Sequence, residues 1–235
     1  MRILITNDDG VSAEGLIPLA RWCKRLGDVT VVVPKNEQSA KSHGIEIHAP
    51  FEVQLREIDG VEVYTVDSTP ADCVRYAVLG MELKFDLIIS GINRGLNIGT
   101  DILYSGTVSA AREAAILGLP AIALSTPPEY YDRAVEHLDE VFGYINERGL
   151  LDIHSTYNIN IPENPKGIRI TRQGGSYYSD SFDDLGEGMF KAHGKCVYAS
   201  KNNPTLDTEA TMTGYISVMP ITIDMTAVEV YDRLK

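Results

Sequence analysis

The sequence predicts a doubly wound α/β core followed by a β-rich C-terminal part. Two observations carry this. Up to about residue 150, short apolar runs alternate with amphipathic stretches, the strand–helix–strand order of a parallel sheet. After about residue 155 strand-like runs dominate. At 235 residues, 44% hydrophobic and 23% charged, the chain suits one large α/β domain, or a core with a smaller appendage.

Residues 2–6 read as a short buried strand, broken by the turn residues Asn7-Asp8-Asp9-Gly10. A helix is expected from about Ser12 as N-cap, with Leu16, Leu19, Ala20, Cys23 and Leu26 at helical spacing. Residues 29–33 form a second strand closed by Pro34, which completes a βαβ unit with a right-handed crossover. Residues 45–66 look like short strands with a turn at Asp59-Gly60. Thr69-Pro70 opens a helix, Thr as cap and Pro in the first turn. A third core strand covers 85–90, a loop 91–106, a helix about 107–117 and a fourth strand 121–125. Residues 129–148 predict one longer amphipathic helix with Val135, Leu138, Phe142 and Ile145 on one face. Later strands are expected at 157–161, 167–172 and 214–219. The stretch 173–205, rich in Gly, Ser, Asp and Tyr, reads as a projecting hairpin or loop region.

The net charge of -12 argues against duplex nucleic acid, whose binding runs on clustered Lys and Arg. An anionic small substrate would need local neutralisation by a metal ion or by N–H groups at a helix start. Cys23, Cys73 and Cys196 show neither metal-ligand spacing nor a disulfide framework, and read as reduced thiols in or near the core. No leader pattern is visible and no apolar run approaches the ~20 residues of a membrane span, so a cytoplasmic protein is expected.

Polar residues collect where the strands end, the edge at which such sheets bind ligands. Asp8 and Asp9 follow the first strand, Ser39 lies beyond the second, and Asn93 and Asn97 follow the third. Adjacent carboxylates in a partly buried turn are costly unless a cation sits between them. The plain alternative is an Asx-type turn capping the first helix. With a hydroxyl and an amide carbonyl on the same edge, the set becomes all-oxygen, which suits Mg²⁺ or Mn²⁺. Ser105-Gly106-Thr107 precedes an alanine-rich helix and makes a candidate phosphate cradle; an ordinary N-cap is the alternative. His43 and His48 lie near the Ser39 loop and read as surface or satisfied histidines. Trp22 reads as packing. Tyr130, Tyr131, Tyr177 and Tyr178 are expected to be partly buried.

Asn7-Asp8-Asp9-Gly10, the Ser39 loop, the run from Ser90 to Asn97 and Tyr104-Ser105-Gly106-Thr107-Val108 together resemble the SurE family. Residues 69–74, 207–210 and 214–217 fit as well, so the resemblance runs from residue 1 to about 226. It implies a single domain over 1–235: a Rossmann-like three-layer α/β/α core with a mostly parallel sheet over about 1–150, and a β-rich extension over about 151–235 that carries oligomerisation elements. It implies one divalent metal ion per subunit on Asp8, Asp9, Ser39 and Asn93, and a homodimer or homotetramer. The activity it implies is hydrolysis of nucleoside 5'-monophosphates, often 3'-monophosphates too, with Asp8 and Asp9 catalytic and Asn97, Ser105, Gly106 and Thr107 on the phosphate. Two rivals stand beside this reading. An aspartyl-phosphate phosphatase would want its two aspartates one residue apart. A nucleotide-binding regulatory protein would need no metal.

Overall fold

The computed structural model describes residues 1–235. Its plan follows from alternation along the strands. In β1 (Arg2–Thr6), Ile3 and Ile5 enter one hydrophobic core and Leu4 the other. In β2 (Asp28–Pro34), Val31 and Val33 divide from Val32 in the same way. A sheet buried on both faces explains why these strands read as unbroken apolar runs.

Between them lies α1 (Leu16–Cys23). The chain continues through the hairpin β3 (Val53–Ile58) and β4 (Val61–Val66), then α2 (Pro70–Arg75), which runs into a π-helical turn at Tyr76–Gly80. Next come β5 (Leu87–Arg94), a 3-10 turn at Gly99–Leu103, α3 (Gly106–Ile116) and β6 (Ala121–Thr126). Three helices follow, α4 (Tyr131–Glu136), α5 (Leu138–Glu147) and α6 (Leu150–Ile153). The C-terminal part holds β7 (Thr156–Asn160), β8 (Ile168–Ile170), the hairpin β9 (Tyr178–Gly186) and β10 (Met189–Cys196), α7 (Asp207–Met212), β11 (Ile216–Pro220) and α8 (Val228–Leu234).

The nine-stranded sheet has the order β3-β4-β2-β1-β5-β6-β7-β11-β8. From β4 to β7 all neighbours are parallel, while β3 and the β11–β8 pair run the other way. Residues of α1, α4 and α5 line one core, and those of α2 and α3 the other. This is the three-layer arrangement expected. The chain builds outward from β1 in one direction and from β5 in the other, so the topological switch point lies between them.

Several local expectations are corrected. The first helix begins at Leu16, not near Ser12, because residues 10–16 close two turns through Ala13 N–H to Gly10 O and Leu16 N–H to Ala13 O. Residues 45–52 are coil: the N–H groups of Glu46, His48 and Ala49 donate to the Asp72 and Glu46 carboxylates rather than to a strand. The helix expected over 129–148 splits at His137, whose N–H is shared between Arg133 O and Ala134 O; the apolar stripe stays in phase across the break. β5 runs on to Arg94 rather than ending at Ser90. α7 has no counterpart in the sequence reading. Cys23 and Cys73 are buried as expected, but Cys196 is exposed on β10. Trp22 packs on Phe142 at 4.7 Å between ring centroids and donates to Asp139 Oδ1. No helix is long and apolar enough to cross a membrane.

Candidate active site

β1 ends in a turn closed by its own side chain. Asn7 Nδ2 donates to Gly10 O at 2.9 Å, and Gly10 N–H donates back to Asn7 Oδ1 at 3.1 Å. Gly10 has φ +82°, and a Cβ there would lie 2.9 Å from the Asn36 carbonyl carbon, so glycine alone fits. The turn sends its two aspartates into different surroundings.

Asp8, 3% exposed, lies against the start of α3. The Thr107 hydroxyl donates to Asp8 Oδ1. A Cβ on Gly106 would fall 2.7 Å from Asp8 Cβ, so the close approach depends on that glycine. Ser105 is the N-cap, its Oγ accepting from Val108 N–H at 3.0 Å. Asp8 O also accepts from Gln38 N–H at 2.7 Å, which ties the loop after β2 to the end of β1.

Asp8, Ser39, Asn93, Asn97 and Ser105 line one cleft of about 520 Å³. Asp9 lines an adjoining hollow of about 210 Å³ with Glu37 and Tyr131, and Arg94 borders both. Asp9 Oδ2 accepts from Arg94 N–H at 2.8 Å. A bulge in β5 between Ser90 and Asn93 re-aims the strand here. Asn93 donates its Nδ2 to Gly95 O at 2.7 Å, which leaves its carbonyl oxygen for another partner. Gly106 and Thr107 stand behind Asp8 and do not line the cleft.

Both aspartates resist ionisation without a counter-charge. Burial pushes the Asp8 carboxyl up, and the Thr107 hydroxyl and the N–H groups of Thr107 and Gly106 only partly offset this. Asp9 is pushed up to about 6, first by burial and then by the Asp8 and Glu37 charges, against the Arg94 N–H. The cleft also carries Asp101 and Asp180 against the one basic residue Arg94. A phosphate entering it meets net negative charge. Hard oxygen donors beside poorly compensated carboxylates fit a divalent cation.

Asn97 is held by three residues that the sequence reading missed. Its N–H donates to Asn160 Oδ1 at 2.8 Å and its Nδ2 to Ser125 Oγ at 2.9 Å. Its carbonyl accepts from Asn158 Nδ2 at 2.8 Å and Asn160 Nδ2 at 2.9 Å. Asn158 and Asn160 are wholly buried on β7, so each bond lost strands a polar group away from water. Asn160→Ala is expected to lower turnover at this cleft about tenfold and to cost about 2–4 kcal/mol of stability. Steady-state kinetics with thermal melting checks both, and a variant unchanged in each would sink the assignment.

Three comparisons bear on what this geometry belongs to. The family model described as "Survival protein SurE" matches residues 3–180. The chain belongs to the SurE family. Its relatives include proteins named 5'-nucleotidase SurE. The one from Thermoanaerobacter pseudethanolicus is 43% identical over 96% of this chain and 94% of its own length. The one from Alkaliphilus metalliredigens is 39% identical over 100% of this chain and 98% of its own. The crystal structure of SurE protein from Aquifex aeolicus superposes with a TM-score of 0.82 at 35% identity, covering 100% of this chain and 98% of that one.

Other side chains of this SurE-family chain fall as follows. His43 is bonded to buried Glu113 and His48 is exposed. Tyr131 and Tyr177 are buried, and Tyr177 donates to Leu96 O. Tyr104 and Tyr178 are exposed on the cleft. Asp207 is a further residue the reading of the site missed. It is wholly buried and accepts from Gly99 N–H at 2.9 Å and Gly174 N–H at 2.7 Å, which fixes the 3-10 turn bearing Thr100 and Asp101.

Proposed function

We propose that this SurE-family chain is a metal-dependent 5'-nucleotidase that hydrolyses nucleoside 5'-monophosphates, and 3'-monophosphates as a second class, to nucleoside and phosphate. The observation that carries the reading is the buried Asp8 carboxylate at the switch point, sharing a cleft with Ser39, Asn93, Asn97 and Ser105. Full-length relatives that bear the nucleotidase name support it.

Asp8, Asp9, Ser39 and Asn93 would hold one divalent cation, Mg²⁺ or Mn²⁺. Such an ion supplies positive charge at the phosphate and lowers the pKa of water. The remaining work belongs to the chain. Thr107 and the α3 N-terminus orient Asp8, which lines the cleft. Asn97 and Ser105 present polar groups to the equatorial phosphate oxygens, and Gly106 and Thr107 act through Asp8, which they hold in place. Because Asn97 is locked by Ser125, Asn158 and Asn160, it needs no reorganisation as charge develops. Tyr104 and Tyr178 offer ring faces to a nucleoside at the rim.

We also infer a homodimer or homotetramer. The β9–β10 hairpin exposes Phe182, Leu185, Met189 and Phe190, which suits contact with another copy.

The deciding assay is phosphate release from a panel of nucleoside monophosphates in EDTA, Mg²⁺ or Mn²⁺. Release that requires a cation is expected. Nucleotide binding without turnover in any metal would move the chain to a regulatory role, and a trapped phosphoenzyme would point to covalent chemistry.

A further inference from the structure

The Ser39 loop is a long coil. Residues 35–52 connect β2 to β3 with no regular structure, and Ala40 and Ser42 sit at φ +58° and +54°, a region that residues with a Cβ disfavour. Segment 39–43 is therefore not held by its own backbone preference. Backbone bonds tie it to the protein body at two points, Gln38 N–H to Asp8 O at 2.7 Å and Ser42 N–H to Tyr104 O at 3.1 Å, and Lys41 N–H closes one turn within it on Gln38 O at 3.3 Å. One side-chain contact reaches into the protein body. His43 Nε2 lies 2.8 Å from Glu113 Oε2, and the Glu113 side chain is 4% exposed.

Glu113 lies on α3, the helix whose first turn holds Asp8 through Thr107. One rigid element thus grips both the turn that carries Asp8 and the loop that carries Ser39. We infer that His43 and Glu113 form a positioning pair that holds the Ser39 loop in its cation-binding arrangement. The inference rests on the metal-site reading above. His43 does not line the cleft, so it acts through the loop.

The geometry also supplies a clean test. Glu113 Oε1 accepts from Arg75 Nη1 at 2.9 Å, so His43→Ala leaves the buried carboxylate paired and the fold intact. The experiment titrates metal-free, full-length chain with Mn²⁺ by calorimetry. It also follows trypsin cleavage after Lys41, and phosphate release from a nucleoside monophosphate against Mn²⁺ concentration. In His43→Ala, Kd for Mn²⁺ is expected to rise about tenfold, the usual scale for losing an outer-shell partner. Half-maximal activity should move by the same factor, while kcat at saturating Mn²⁺ falls less than about threefold. Cleavage after Lys41 should quicken. His43→Gln, which can still donate to Glu113, should restore affinity and protection. Arg75→Ala, which keeps the His43 contact, should leave Kd unchanged.

An active wild type whose His43→Ala variant binds Mn²⁺ normally and resists trypsin as before would overturn the positioning role alone. A wild type that neither binds Mn²⁺ nor releases phosphate would overturn the metal-site reading, and this inference with it. Should His43→Ala fail to fold, His43→Gln against His43→Leu gives the same comparison, and equal Kd values in the two would overturn the pair.

Discussion

Asp8→Asn is expected to lower phosphate release by about 10³-fold or more while leaving the fold intact. The Asn side chain matches Asp in size, and its carbonyl oxygen can still accept from the Thr107 hydroxyl, so α3 keeps its contact. The other position now carries an NH₂ where the proposed site needs an acceptor, and a cation loses a charged ligand. Losing about 4 kcal/mol of transition-state stabilisation corresponds to that factor in rate. Stability should move the other way. Burial works against the ionised Asp8, so the neutral amide removes a cost from the metal-free fold. The expected pair of results is lost turnover with an unchanged or higher Tm without metal. Near-normal turnover would remove Asp8 from the chemistry. Lost turnover with a collapsed Tm would assign it to folding.

These expectations separate what the sequence displays from what it conceals. An apolar run ending in Asn-Asp-Asp-Gly announces a strand that delivers carboxylates to a sheet edge. Where each carboxylate points is settled by the Asn7–Gly10 turn and by the neighbours Thr107 and Arg94, which are remote in sequence. A helix start such as Ser105-Gly106-Thr107 reads equally as an anion cradle or a cap. Here Ser105 caps, and Thr107 spends its hydroxyl on a carboxylate of the protein itself. The bulge that re-aims Asn93 depends on pairing with β6, which has no local signature. The asparagines of β7 left a usable trace. Asn158 and Asn160 alternate with Tyr157, Ile159 and Ile161, and a strand with one wholly polar face inside a sheet buried on both sides implies a buried network. The helix break at His137 left none, because the apolar stripe stays in phase through it.

The second large effect is metal removal, and its pH dependence carries the sharper test. EDTA is expected to abolish phosphate release, and Mn²⁺ to raise Tm at pH 7. At a hundredfold excess over Kd the stabilisation is about 2.7 kcal/mol, or about 5–10 °C for a chain of this size. The sign of the pH effect follows from Asp9. Its folded pKa of about 6 stands above the usual 3.8, first through burial and then through the charges of Asp8 and Glu37. A raised pKa means that the metal-free folded state binds the proton more tightly than the unfolded chain. That contribution is present in full below about pH 4 and is lost as pH rises through 6. Asp8 is shifted in the same direction. Acidification therefore supplies by protonation part of what the cation supplies by charge, and the two compete. The gain in Tm on adding Mn²⁺ should be largest at pH 7–8 and shrink steeply by pH 5. Exposed groups shifted the opposite way, such as Asp86 beside Arg2, act equally with and without metal and cancel in the difference. A gain independent of pH from 5 to 8 would place the stabilising cation on other residues.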